Sequence, residues 1–325
     1  MLGYIMRRIA VSIVVLFLAT ILVFILVAES GNPLAILRAN PHIPRATILA
    51  RERLLHLNDP LWQRYWIWFS HAIRGDFGTT IAGLPVEPQL ISHLLVTLRM
   101  VILATLISIV LAIGVGVYAA LRQGRLADHT ATVTNFLFLA APTFVIGLLL
   151  KEFVAIPLDE HTNTTIFYTS GDQSPTLTGS FIQRVPDYAA HTALPVITLI
   201  LVTYSSWAIY QRASILETLN SDHVRLARSK GLAPRRVLFR HILRNALIPV
   251  TTVIALDFAA VLGGAIVTEI VFGWQGLGQW YLQGVTTLDT NITLAYLLVT
   301  ATFVILFNLL ADIIYAYLDP RIRYD

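Results

Sequence analysis

Long apolar stretches follow one another along this chain and predict its fold. Six windows of about 20 or more mostly hydrophobic residues are each long enough to cross the hydrocarbon core of a bilayer as a helix. They lie at residues 9–28, 96–121, 131–156, 191–210, 247–271 and 291–318. Because a segment in lipid must satisfy its own backbone hydrogen bonds, the pattern predicts an all-α membrane protein with six transmembrane helices.

The polar segments between these windows give the predicted domain organisation. We expect a first transmembrane helix at 1–28 and an extracytoplasmic segment at 29–95. A five-helix core follows at 96–318, interrupted by a polar and basic loop at 211–246. Residues 319–325 then form a short tail.

Two of these segments have alternative interpretations. The first apolar stretch resembles a secretory signal peptide, but it exceeds the usual 7–15 apolar residues and residues 27–30 make a poor cleavage site, so we expect it to be retained. The segment 29–95 contains Trp62, Tyr65, Trp66 and Trp68. Such dense aromatics are typical of a helix lying at the membrane–water interface, and a small packed extramembrane subdomain is equally compatible with them.

Composition narrows the class of protein further. Hydrophobic residues make up 56% of the 325 residues and charged residues 13%, well below the roughly 25% of soluble domains. The chain has no cysteine. Disulfides, thiol nucleophiles, cysteine-ligated zinc, iron–sulfur clusters and covalently attached haem are therefore excluded.

The distribution of lysine and arginine predicts the orientation in the membrane. More than half of the 23 basic residues lie at the N-terminus, after the second span, in 211–246 and in the tail. The positive-inside rule places these segments, and so both termini, in the cytoplasm. The six arginines of 29–95 weaken this prediction only slightly, because long translocated segments largely escape the rule.

The basic loop has the pattern of two helices joined at a glycine. Residues 222–230 read as a short helix with Ser221 or Asp222 as its N-cap. Gly231 fits the position after the helix, where the backbone turns left-handed, and Pro234 fits the first turn of a second helix. Three arginines spaced four residues apart form a cationic edge of this second helix: Arg236, Arg240 and Arg244. An apolar face lies beside it and consists of Leu238, Phe239, Ile242 and Leu243. Although charge alone would suit a lipid-anchoring loop, the glycine and proline favour a docking element.

This segment resembles the EAA loop of ABC importer permeases. In the dipeptide and oligopeptide branch of that family the loop reads like Ala227-Arg-Ser-Lys-Gly231 followed by Arg240-His-Ile-Leu-Arg-Asn-Ala-Leu-Ile-Pro249. Further stretches similar to that branch occur in order along nearly the whole chain: Asn58-Asp-Pro-Leu-Trp62, Arg74-Gly-Asp-Phe-Gly78, Ala141-Pro-Thr-Phe144, Gly147-Leu-Leu-Leu150, Thr268-Glu-Ile-Val-Phe-Gly-Trp-Gln-Gly-Leu-Gly278 and Asp319-Pro-Arg-Ile-Arg323. Two features depart from the pattern: the literal Glu-Ala-Ala is absent near Leu226-Ala227, and Gln275 replaces a proline.

The resemblance implies a B-type permease subunit of a peptide/nickel importer, with the type I ABC importer fold, in the bacterial cytoplasmic (inner) membrane. Its implied cargo is oligopeptides or dipeptides, with nickel as the alternative. Its implied partners are a second homologous permease, two ATP-binding subunits or one fused ATPase, an extracytoplasmic substrate-binding protein and the lipid bilayer, with no nucleic acid. No cofactor is expected in this chain, since ATP and Mg²⁺ would bind to the partner ATPases. The residues implied to couple it to them are Asp222, Ala227, Arg228, Lys230, Gly231, Pro234 and Arg235.

Other functions fit the sequence less well. The only two lysines precede Glu152 and Gly231, so the chain has no Gly-Lys-Ser/Thr phosphate-binding motif and is not expected to be an ATPase or another enzyme. An ion-coupled secondary transporter would use intramembrane carboxylates such as Asp257, Glu269 or Asp312, but no inverted repeat is evident. An intramembrane enzyme is disfavoured because His-Glu-x-x-His and Gly-x-Ser-x-Gly are both absent.

Four residues of the fifth predicted span are predicted to belong to the translocation path: Asp257, Gly263, Gly264 and Glu269. Asp257 is the deepest of the carboxylates, and pairing with a neighbouring helix is the alternative. The glycine pair would let the fifth span flex, and tight helix packing is again the alternative.

Overall fold

The computed structural model describes residues 2–175 and 180–318, and these residues form helices and their connections. Apart from one isolated bridge between Thr79 and Pro85, the described part contains no β-structure. The helices are α1 (Leu2–Glu29), α2 (Ala35–Ala39), α3 (Arg45–Leu54), α4 (Leu61–Ala72), α5 (Val86–Leu121), α6 (Leu126–Ala140), α7 (Thr143–Leu150), α8 (Ile156–Thr162), α9 (Phe181–Leu219), α10 (Asp222–Ser229), α11 (Pro234–Val237), α12 (Leu243–Val271), α13 (Leu277–Thr286) and α14 (Thr290–Leu318). Turns of π-helix at Lys151–Ala155 and Leu238–Ile242 join α7 to α8 and α11 to α12.

The predicted all-α membrane fold is confirmed. Within the described residues, five helices are long and apolar enough to cross a membrane, and a sixth span is formed if one bent pair is counted as one. The helices extend beyond the apolar windows: α5 begins at Val86 and α9 at Phe181. Helix formation is cooperative, so polar turns continue a helix past the membrane boundary without marking its end in the hydropathy pattern.

The third predicted span is the one that is broken. The helical segments Leu126–Ala140 and Thr143–Thr162 meet at an angle of 104°. Ala141 has extended backbone angles (φ −78°, ψ 129°), as expected for a residue that precedes a proline, and Pro142 then precedes α7. The continuous apolar window at 131–156 predicts a single span that Pro142 could kink, and the structure has a sharp break at that proline.

The chain divides into two compact units. One unit comprises residues 1–5, 98–274 and 306–325, and the other comprises residues 6–97 and 275–305. The predicted loop 211–246 therefore belongs to the first unit, and most of α1 and the segment 29–95 belong to the second. The predicted cytoplasmic tail at 319–325 lies outside the described residues.

The second unit is built around an aromatic cluster. Tyr65 of α4 is buried against Phe24 of α1 and donates or accepts a 2.9 Å hydrogen bond with the Thr20 hydroxyl. Trp62 and Trp66 on the same helix remain exposed. The helix thus packs on α1 through Tyr65 while Trp62 and Trp66 face outward, and its position at the membrane–water interface stays a prediction.

A buried carboxylate joins two loops of this second unit. The Oδ2 atom of Asp289 accepts a 2.6 Å hydrogen bond from the backbone N–H of Ile81, and Oδ1 accepts one from Ile292. Burial raises the pKa of the Asp289 carboxyl, although these backbone donors stabilise its charged form.

In the first unit, α9 packs on α6, α7 and α12, and its contact with α5 is unusually close. A Cβ atom on Gly116 of α5 would lie 2.7 Å from Cβ of Gln211 and 3.0 Å from the carbonyl oxygen of Ala208, both on α9. Gly114, two residues earlier in α5, has no heavy atom of the described residues within 4 Å of its Cβ position. Gly116 is therefore required by packing, whereas Gly114 is not.

We expect Gly116→Ala to lower the stability of the purified protein by about 1–3 kcal/mol, because the backbone of α9 must move to accept the methyl group. Gly114→Ala is the matched control and should leave stability unchanged or raise it. Thermal unfolding in detergent measures both. Equal unfolding temperatures for the two variants would show that the close approach of α5 and α9 is wrong.

Candidate functional site

The basic loop begins where α9 ends. Ser221 has extended backbone angles (φ −72°, ψ 151°) and is the N-cap of α10, one of the two residues predicted for that position. Its hydroxyl donates a 2.5 Å hydrogen bond back to the carbonyl oxygen of Thr218 and accepts none from the backbone N–H groups of α10. Asp222 stands in the first turn with a fully exposed side chain, 3.8 Å from Arg225. A carboxylate at this end of a helix complements the helix dipole.

The turn after α10 needs a glycine at 231. The backbone of Gly231 is left-handed (φ +72°), as its predicted position after the helix requires. Its N–H donates to the carbonyl oxygen of Arg228 (3.0 Å), and the N–H of Leu232 donates to that of Ala227 (3.4 Å). This pair of hydrogen bonds is the Schellman motif, which closes the end of a helix. No heavy atom of the described residues lies within 4 Å of the Cβ position of Gly231, so among these residues the backbone angle alone restricts substitution there.

The second helix begins at Pro234, as predicted, and continues into the fifth predicted span. Pro234 occupies the first turn of α11, where no backbone N–H is needed. The helical path then runs through the π-helical turn Leu238–Ile242 into α12 and ends at Val271. The loop is therefore connected to the fifth predicted span by one continuous helix.

One face of this helix–turn–helix is buried in a core cluster of the first unit. The buried residues of that core are Ala120, Ile215, Val224, Ala227, Val237, Ile242 and Ala246. Ala227, predicted as a coupling residue, is only 5% exposed and supports the turn from inside. The Ser214 hydroxyl of α9 adds a buried 2.9 Å hydrogen bond to the carbonyl oxygen of Ala246 in α12.

The other face carries the predicted charges. Asp222, Arg228, Lys230, Gly231, Pro234 and Arg235 are exposed, and we call them the coupling surface. Among the described residues no carboxylate lies within 4.0 Å of Arg228, Lys230 or Arg235. Leu226 adds an exposed apolar side chain beside them. Within the described residues, the surface thus presents unpaired cations and apolar area on a buried apolar support, which suits the binding of an acidic and partly apolar partner.

Two polar contacts that fix this element were not anticipated from the sequence. Arg212 near the end of α9 forms a bidentate ion pair with Asp128 of α6, with Nε–Oδ1 and Nη2–Oδ2 distances of 2.6 and 2.8 Å. The Asp128 carboxylate also accepts a hydrogen bond from the backbone N–H of Gly124 (3.0 Å). His223 of α10 lies 3.0 Å from the Asn245 amide of α12. The sequence held two signals for this ion pair: Asp128 lies just before the third apolar window, and Arg212 lies just after the fourth.

The predicted path residues lie on α12. The Oδ2 atom of Asp257 accepts a 2.9 Å hydrogen bond from the indole N–H of Trp207 on α9, which is 1% exposed. This contact is the interhelical pairing that the sequence left open as the alternative. Glu269 is fully buried. Gly263 and Gly264 lie within α12. A role of these four residues in the translocation path stays a prediction.

Comparison with known proteins agrees with this architecture. Residues 112–324 match the model of the family described as binding-protein-dependent transport system inner membrane component. The chain is 39% identical to an oligopeptide transport system permease protein of Mycobacterium tuberculosis over 98% of each chain. It is 33% identical to a dipeptide transport system permease protein of Escherichia coli over 100% of this chain and 99% of that one.

A solved structure supports the fold independently. The MetNI methionine ABC transporter aligns with 71% of this chain and 96% of its own chain at a TM-score of 0.52 and 17% identity. At that identity the likeness concerns the fold alone. With a family model covering most of the chain and relatives aligned from end to end, the chain belongs to the binding-protein-dependent transport system inner membrane components, the permease family of ABC importers.

Proposed function

We propose that the chain is the transmembrane permease subunit of an ATP-driven importer that carries oligopeptides or dipeptides across the cytoplasmic membrane. Its relatives with end-to-end similarity are named for the transport of oligopeptides and dipeptides. Those names favour peptides over nickel, the alternative cargo that the sequence left open.

ATP hydrolysis is assigned to partner subunits. The chain has no phosphate-binding Gly-Lys-Ser/Thr motif, so ATP and Mg²⁺ would be bound by two ATP-binding subunits or one fused ATPase. A second homologous permease and an extracytoplasmic substrate-binding protein complete the proposed assembly. The excess of basic residues in 211–246 supports an orientation with this loop and both termini in the cytoplasm.

The observation that carries the proposal is the solvent-exposed turn around Gly231, whose opposite face packs into a buried core. Its exposed cations stand on a buried apolar core that includes residues of α5, α9 and α12, so a force on the turn would reach membrane-crossing helices directly. The hydrogen bond between His223 and Asn245 ties the first helix of the turn to α12. Closure of the ATPases against the coupling surface would then move α9 and α12 and open the path near Asp257, Gly263, Gly264 and Glu269.

Charge reversal tests the docking of the ATPase. We expect Arg228→Glu, Lys230→Glu and Arg235→Glu together to reduce the amount of ATPase that co-purifies with this chain, because like charges would then face the acidic partner. In the unaltered complex, added salt should weaken binding, since exposed ion pairs are screened within about 10 Å at 0.1 M salt.

The matched control reverses three exposed arginines in the other unit, Arg45, Arg53 and Arg74, with the same change in net charge. We expect the control to retain the ATPase. An unchanged ATPase yield from the first triple variant at low salt would show that these cations do not form the docking surface.

A further inference from the structure

An open groove lies on the helix that connects the basic loop to the membrane. Its volume is about 410 Å³, and its walls are Phe239, Arg240, Leu243, Arg244 and Leu247. These residues follow the helical spacing of one face, from the π-helical turn into the start of α12. The groove lies beyond the coupling surface, on the side that leads into the apolar part of the helix.

Within the part of the chain that the structure describes, the two arginines of the groove have no anionic partner. Both side chains are exposed, and no carboxylate of the described residues lies within 4.0 Å of either. Like charges four residues apart on a helix repel each other, so the pair costs stability while nothing bridges it. A phosphate can accept hydrogen bonds from two guanidinium groups at once, and this pairing is among the strongest polar contacts in proteins.

The rest of the groove is apolar and lies where the basic segment leads into the fifth predicted span. Phe239 is 66% exposed, and Leu243 and Leu247 are half-buried beside it. The helix from Pro234 to Ala255 is apolar enough to cross a membrane, although it begins with this basic segment. Arginines near such a helix end extend their guanidinium groups toward the headgroups while their stems stay along the apolar surface.

We propose that this groove binds one anionic phospholipid, whose headgroup phosphate bridges Arg240 and Arg244 while an acyl chain lies along Phe239, Leu243 and Leu247. The groove offers both cations and apolar walls, and a phospholipid carries an anion and a hydrocarbon chain in one molecule. The apolar walls of this groove lead into a helix that is apolar enough to cross a membrane, which favours a lipid as the occupant here over the acidic partner expected at the coupling surface. The cytoplasmic location of this headgroup rests on the proposed function, whereas the binding itself does not.

Lipid binding to the purified complex tests this inference. We would count phosphatidylglycerol and cardiolipin molecules retained by the detergent-solubilised complex in native mass spectrometry, with phosphatidylcholine as the zwitterionic comparison. Arg240→Gln with Arg244→Gln should weaken retention of the anionic lipids at least about tenfold, as expected for the loss of charged hydrogen bonds. Arg122→Gln with Arg125→Gln removes the same charge from another basic loop and should change retention less than about twofold.

Further experiments distinguish a phospholipid headgroup from free phosphate as the anion that binds to the groove. Phe239→Ala should reduce lipid retention while leaving any binding of inorganic phosphate unchanged, and it also serves if the double arginine variant fails to fold. The lipid assignment would be overturned if the complex bound inorganic phosphate as strongly as it binds phosphatidylglycerol. The assignment would also be overturned if both arginine double variants lost anionic lipid to the same extent. It would likewise be overturned if the variant of Arg240 and Arg244 kept its lipid and lost the ATPase. Because retention is measured without ATP or peptide, failure of the proposed transport function would be seen separately.

Discussion

Gly231→Val should uncouple transport from ATP hydrolysis more strongly than any other single change in the coupling surface. The variant must hold a β-branched residue at φ +72°, which costs about 1–2 kcal/mol. The space around the Cβ position is open, so the cost arises from the backbone and not from a clash. Unwinding the end of α10 relieves it, and a strain of this size shifts the balance toward the unwound turn roughly five- to thirtyfold.

The expected consequence for function is that movement of the ATPases no longer reaches the transmembrane helices. Once the Schellman hydrogen bonds open, Arg228 and Lys230 no longer keep their position relative to Pro234, and closure of the ATPases no longer moves α9 and α12 together. Peptide uptake per ATP hydrolysed, measured in proteoliposomes, should fall by up to that factor while basal hydrolysis persists.

The control for this prediction is Gly231→Asn, because asparagine enters the left-handed region more readily than other residues. We expect the asparagine variant to retain most of the coupling. A valine variant that transports with the normal ratio of peptide to ATP would remove Gly231 from the coupling mechanism.

The second large effect is expected at the ion pair between Asp128 and Arg212. Asp128 is only 2% exposed, and both of its oxygens bind the guanidinium of Arg212. Asp128→Ala leaves the partly buried arginine without its counter-ion, and loss of one partner of a buried pair costs on the order of 3 kcal/mol. Thermal unfolding of the purified chain should therefore shift to a clearly lower temperature.

Two comparisons isolate the cause. Asp222→Ala removes the exposed partner of Arg225, whose ion-pair distance is 3.8 Å, and should change stability by less than about 1 kcal/mol. Asp128→Leu combined with Arg212→Met removes both charges and should recover much of the loss. An Asp128→Ala variant as stable as Asp222→Ala would mean that the pair does not fix α6 to α9.

The sequence predicted those features that depend on neighbouring residues. The six apolar windows, the left-handed turn at Gly231 and the helix start at Pro234 each follow from local chemistry, namely transfer of apolar side chains, freedom of the glycine backbone and the fixed φ of proline. All of them appear in the structure, with the third span broken at Pro142.

Features that depend on distant residues could not be predicted in this way. Asp128 and Arg212 are 84 residues apart, and the inward orientation of Ala227 depends on Ile215 and Ala246 of other helices. The pairing of Asp257 with Trp207 likewise requires the packing of α12 on α9. A single sequence carries the residue types of these contacts but not their distances, so only their possibility could be stated.

The most direct test of the proposed function is ATP hydrolysis by the complex purified through a tag on this chain, with its binding protein and either short peptides or nickel added. We predict that an ATPase co-purifies and that peptides stimulate hydrolysis whereas nickel does not. A complex without a co-purifying ATPase and without hydrolysis would contradict the assignment of the Gly231 turn as the coupling element of an ATP-driven importer.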